Sequence, residues 1–162
     1  MIKEKERKEV AAVKIYTVPC SIEEMEENVA INTKIQPKPS KNEIIKQAFK
    51  FHLQGNIPEA LKYYQYFINQ GFKDHRIFSN YGIILKDLGK LKEAELSTRK
   101  AIQINPNFAE AHTNLGIILK DLGNLQKAKL LLRKAIKLKP DFANAHSNLG
   151  TILRGLGKLE EA

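Results

Sequence analysis

The tightest constraint on this chain is that it repeats itself every 34 residues. The segment NYGIILKDLG at 80–89 returns as NLGIILKDLG at 114–123 and again as NLGTILRGLG at 148–157. Ala94, Ala128 and Ala162 keep the same step, as do Ala101 with Ala135 and Pro106 with Pro140. A looser copy places Ala48, Gly55 and Ala60 at the same phase. A period of this length describes one small supersecondary unit that buries its apolar face only by stacking on its neighbours.

Within a unit the residues read as two helices. On a helical wheel Phe78, Tyr81, Leu85 and Leu88 fall together, a stripe that must face a core. Gly82 and Ala94 are small enough to let two helices approach closely. Gly89 suits the stop of the first helix, where a positive φ is needed, and Pro106 cannot continue the second. Ser40 with Glu43, and Asn107 with Glu110, have the spacing of capping boxes.

This pattern resembles the tetratricopeptide-repeat (TPR) family, whose unit is a 34-residue helix–turn–helix with a Leu-Gly pair, a turn Gly, small Ala residues and a closing Pro. The resemblance covers residues 41–162 and implies an all-α, right-handed superhelical solenoid, with units at 41–74, 75–108, 109–142 and an incomplete 143–162. The first unit departs from the pattern, with Gln47-Ala48 for the pair and Gly71-Phe72 near the expected Pro, as a capping unit often does. The bulky position three residues before the pair is Phe78 in one unit and Ile44, His112 and His146 in the others. These histidines read as packed side chains, because metal sites want several convergent ligands. The cluster of Tyr63, Tyr64, Tyr66 and Phe67 reads as packing of the first unit.

Opposite the core stripe lies a polar one. In the second unit it holds Arg76, Ser79, Asn80, Ile83, Lys86 and Asp87, within about 60° of arc by helical geometry. The third gives Glu110, Thr113, Asn114, Ile117, Lys120 and Asp121, and the last Asn144, Ser147, Asn148, Thr151, Arg154 and Gly155. The resemblance implies that these residues line a concave groove for a protein or peptide partner. Asn80, Asn114 and Asn148 form a ladder at one phase, similar to that in the TPR arm of O-linked N-acetylglucosamine transferases. An amide offers a donor and an acceptor, which suits an extended backbone; it also suits packing between units. A carboxylate clamp would want bases where Asn144 and Asn148 stand, and Asp87 and Asp121 would repel a carboxylate. The expected function is a protein-interaction module. The alternative is a substrate-recruiting arm of a larger bacterial transferase.

Charge and cysteine content bound the rest. The formal net charge is +9, and all the excess lies in 41–162. Lys127, Lys129, Arg133, Lys134, Lys137 and Lys139 crowd one second helix without interleaved aromatics, which argues against nucleic acid and reads as a solvated face. No phosphate loop, metal cluster or nucleophile–base motif stands out, so no catalytic residue, metal or cofactor is expected. Cys20 is the only cysteine and reads as a plain thiol. No apolar run reaches the ~20 residues of a spanning helix, and 1–10 lacks the order of a secretory signal. A cytoplasmic protein is expected, with no membrane partner. Residues 1–40 do not repeat; they read as an extension, partly disordered, with charged helical stretches and a linker at 36–39. The last unit stops within its second helix without a polar cap. A fragment of a longer protein is therefore expected, whose open end offers a surface for self-association.

Overall fold

The computed structural model describes residues 38–157, which form seven helices and no strand. They are α1 (Lys41–Leu53), α2 (Ile57–Asn69), α3 (His75–Asp87), α4 (Leu91–Ile104), α5 (Ala109–Asp121), α6 (Leu125–Leu138) and α7 (Ala143–Gly155). The expected helices in 1–37, Cys20, the first half of the linker and the start of the last second helix lie outside the described residues. α1 packs on α2, α3 on α4 and α5 on α6; each pair then stacks on the next, giving an all-α solenoid.

Local chemistry sets the helix ends. Ser40 caps α1 in a full capping box with Glu43, whose carboxyl lies below its ordinary range because the Ser40 amide and hydroxyl bond to it. α3 ends in a Schellman turn: Lys90 N–H reaches Leu85 O at 2.9 Å and Gly89 N–H reaches Lys86 O at 2.9 Å. Gly89 sits at φ +75°, which only glycine adopts without strain. α4 stops at Ile104, just before Pro106. The small pair does what its size suggests. A Cβ on Gly82 would collide with the Thr98 hydroxyl and come 3.1 Å from the Ala94 carbonyl.

The core begins in the first unit, where Tyr64 and Phe67 are fully buried against Ile44, Ala48 and Ile77. Burying a side chain of that size contributes about 1.5–3 kcal/mol. Further along, Leu115, Leu132 and Ile152 join α5, α6 and α7.

Four expectations need correction, the last of them the packing of His146, which is exposed. The buried face of α3 is wider than one stripe: Leu85 is buried, Phe78 and Tyr81 are half-buried and Leu88 is 54% exposed, while Ile77, Ser79 and Ile84 are buried too. A first helix is covered from several sides, by its own partner helix and by helices of the units beside it. Ser79 and Thr113, read as groove residues, are buried for that reason. Asn107 and Glu110 form no capping box. α5 starts one residue later than that spacing needs, with Phe108 at the N-cap and no side-chain cap bond. The Asn107 amide bonds Asn105 Oδ1 instead, at 3.1 Å, and Glu110 pairs with Lys139 at 3.7 Å.

His112 is packed as expected, only 1% exposed, with Nε2 2.8 Å from the Pro106 carbonyl. His146 repeats that bond to Pro140 at 2.7 Å but is exposed. Nδ1 of His112 is buried without a partner among the described residues. Burial pushes the His112 pKa down; the Pro106 carbonyl opposes this and Lys134 reinforces it. A histidine depressed in the folded state takes up its proton more readily when unfolded. Its contribution to stability is therefore whole above the unfolded value near pH 6.5 and is lost as pH falls below it. Urea midpoints should drop between about pH 7.5 and pH 5.5, and His112→Phe should flatten that drop. An unchanged slope would exclude His112 as its source.

Candidate functional site

The first helices α3, α5 and α7 lie side by side, since α3 contacts α5 and α5 contacts α7. No contact of similar extent joins the second helices α4 and α6. Residues 34 apart on the first helices therefore make rows across one surface. The row of Asn80, Asn114 and Asn148 is half-buried throughout.

Each amide in that row is held in its own way. Asn114 Nδ2 donates to Ser79 Oγ at 3.0 Å, a bond from α5 to α3. Asn148 Nδ2 donates to the Asn144 carbonyl at 2.7 Å, within its own helix. Asn80 faces the hydroxyl of Tyr64 from α2, and that hydroxyl lies 2.8 Å from His52 Nδ1. Burial pushes the Tyr64 pKa up to about 12, with Asn80 opposing, so the phenol stays neutral. Burial pushes His52 down, with Asp87 opposing. Among the described residues no protein donor reaches Oδ1 of Asn114 or Asn148. Those two carbonyls are fixed in direction and open to an N–H from outside.

The row of Ile83 and Ile117 is half-buried, with Thr151 exposed in the third helix. The cationic row carries its own counter-charges in two places: Lys86 pairs with Asp87 at 2.6 Å and Lys120 with Asp121 at 3.5 Å. In α7 the acid is replaced by Gly155, and among the described residues Arg154 reaches only Thr151 Oγ1, at 3.3 Å. Arg76 is taken by Asp74 through a two-pronged pair at 3.1 and 2.8 Å. Burial pushes the Asp74 pKa up, and Arg76 outweighs it and holds the carboxyl below its ordinary range.

Two residues that matter here were missed as anchors. Ser79 holds Asn114, and Tyr64 faces Asn80. Ser79 left a trace in the sequence, because a hydroxyl precedes each amide: Ser79, Thr113 and Ser147. Tyr64 left none, since nothing in its surroundings says that its ring is buried with the hydroxyl aimed at α3. Among the described residues no group of His, Cys, Asp and Glu could hold a metal, and no helix is long and apolar enough to cross a membrane.

Family models described as tetratricopeptide repeat match residues 109–142 and 131–162, and one described as TPR repeat matches 82–123. Together they span 82–162. Hsp70-Hsp90 organizing protein of Triticum aestivum is 33% identical over 60 residues, 37% of this chain. The match spans only 10% of that relative's length. Among solved structures, the first TPR of Spaghetti (RPAP3) bound to the HSP90 peptide SRMEEVD superposes with a TM-score of 0.67 at 21% identity, covering 72% of this chain and 93% of that one. MamA superposes with a TM-score of 0.71 at 19% identity, covering 85% and 77%. At those identities the likeness is one of fold.

Proposed function

Because this chain belongs to the tetratricopeptide-repeat family, we propose that its first helices hold an extended peptide of a partner protein, gripped along its backbone by Asn80, Asn114 and Asn148. The row of amides is the observation that carries this reading. Packed helices stand about 9 Å apart, and an extended chain advances about 3.3 Å per residue. Successive amides therefore meet every third peptide unit, and the three amides suit a segment of roughly seven to nine residues. Such a grip reads the backbone and tolerates many sequences. Ile83 and Ile117 give the segment a partly apolar floor.

The charges beside the row refine the partner. Lys86 and Lys120 are neutralised by adjacent aspartates, so the middle of the groove has little net field. Arg154 has no carboxylate partner among the described residues, which favours an acidic side chain at the α7 end. The relatives named above include one solved with a peptide ending in Val-Asp, and a free terminal carboxylate is the competing ligand. It is disfavoured here because Asn144 at the start of α7 and Asn148 at the amide phase stand where bases would be needed.

The test uses the peptide SRMEEVD in two forms, with a free C-terminus and with a C-terminal amide, titrated by calorimetry. Equal affinity within about a factor of two is expected for backbone recognition, well under the tenfold that 1.4 kcal/mol represents. A strong preference for the free acid would replace this reading with terminal-carboxylate capture. Binding of neither form would remove the groove's claim on peptides of this kind.

A further inference from the structure

α4 and α6 are the same element one repeat apart, so each is a control for the other. α4 carries Glu93 and Glu95 where α6 carries Lys127 and Lys129. In α4 the charges close on themselves: Arg99 pairs with Glu95 at 2.7 Å, Lys90 with Glu93 at 3.9 Å, and Lys100 donates to Gln103 at 2.9 Å. α6 holds no acidic residue from Leu125 to Leu138. Lys127, Lys134 and Lys137 are exposed and Lys129 half-exposed, and none of the four has a carboxylate partner among the described residues.

This arrangement works against the helix that carries it. The first turn of α6 has a lysine where α4 has a glutamate, and the positive end of the helix dipole disfavours a cation there. Like charges also stand at i, i+3 and i, i+4 spacing, as with Lys134 and Lys137, which destabilises a helix. The fold does not require this, since α4 packs in the same way without it. Amid these lysines Leu130 is 64% exposed, and Leu96, its counterpart on α4, is 71% exposed.

We propose that the outer face of α6 is a second docking surface, distinct from the row of amides, for an acidic amphipathic helix of another protein. Glutamates or aspartates on that helix would meet the lysines, and an apolar side chain would cover Leu130. Charge complementarity names the acidic character, and the exposed leucine at the centre favours protein over a phosphate backbone. Neither α4 nor α6 contains an aromatic residue on which a base could stack. Two leucines one repeat apart are a small apolar area for holding a bilayer.

The full chain is titrated by fluorescence anisotropy against a labelled synthetic helix with glutamate on one face and leucine on the other. Phosphatidylserine vesicles and poly(U) are run in parallel. Lys127→Glu with Lys129→Glu converts the face to that of α4, and it places a carboxylate four residues before Arg133, as Glu95 stands to Arg99. This variant should fold at least as well as the parent. Binding of the peptide should weaken roughly tenfold in it, weaken further in salt, and survive loss of the three groove amides. Equal binding by parent and variant would overturn the proposal. So would binding of vesicles or poly(U) in preference to the peptide, or loss of peptide binding with the amides.

Discussion

Gly82→Leu is expected to lower the stability of the chain by about 3 kcal/mol and its melting temperature by on the order of 10 °C. The reason lies in how α3 meets α4. The first carbon of any side chain at 82 would strike the Thr98 hydroxyl and stand 3.1 Å from the backbone carbonyl of Ala94. Neither can give way easily. Thr98 is buried, β-branched and bonded to Ala94 O at 2.9 Å, and the carbonyl belongs to the helix itself. Leucine is a better helix former than glycine by about 1 kcal/mol, but that gain is smaller than the cost of parting two packed helices. The site can be separated from a general loss of fold with Thr98→Ala. In a Gly82→Ala background that change removes the colliding hydroxyl and should recover part of the loss, leaving the Ala94 contact as the remainder. Thermal melts followed by circular dichroism give all four corners of the cycle. Additive changes would mean that the two residues do not share the strain.

The same contact shows why so much of the fold was legible. A glycine at 82 and 116, an alanine at 94 and 128 and a turn glycine at 89 and 123 are backbone demands, and backbone demands recur in phase wherever a unit is copied. Position 116 repeats the squeeze in softer form, with Leu132 Cγ at 2.9 Å and Ala128 O at 3.4 Å. What the period does not reveal is which side chains are covered by a neighbouring unit. A wheel assumes one buried face, whereas α3 is packed by more than its partner α4. Ser79 is chemically at home in water and in a helix–helix contact, so its identity cannot say which applies. The Asn107–Glu110 box failed for a related reason: the three-residue spacing was right, but the helix begins one residue later, where Phe108 turns the chain.

The amide row was legible in phase and not in geometry. Three asparagines 34 apart read alike, yet one bonds a neighbouring helix, one bonds its own helix and one faces a buried tyrosine. Side-chain rotamers depend on what each amide finds near it, and those surroundings differ between units even where the sequence repeats. Tyr64 and His52 occur only in the first unit, so the surroundings of Asn80 have no counterpart to betray them.

That inequality shapes the largest expected effect on binding. Changing Asn80, Asn114 and Asn148 together to Ala should weaken peptide capture by about 100-fold. Each lost hydrogen bond contributes about 1 kcal/mol, and about 3 kcal/mol is two factors of ten in affinity. The single variants should differ in what they do to the fold. Asn114→Ala strips a partner from the buried Ser79 hydroxyl and should cost about 1 kcal/mol of stability. Asn80→Ala removes one neighbour of the Tyr64 hydroxyl, which keeps His52 beside it, so its cost is smaller. Asn148→Ala removes a bond at the surface of its own helix and should leave stability almost unchanged. Asn148 is thus the cleanest probe, because any loss of affinity there reflects the groove and not the scaffold. Calorimetric titration of each single variant, with melts run on the same samples, separates the two effects. If capture survives the triple change while the melts shift as described, the amides serve packing between units, and the partner must be held by other residues of the first helices.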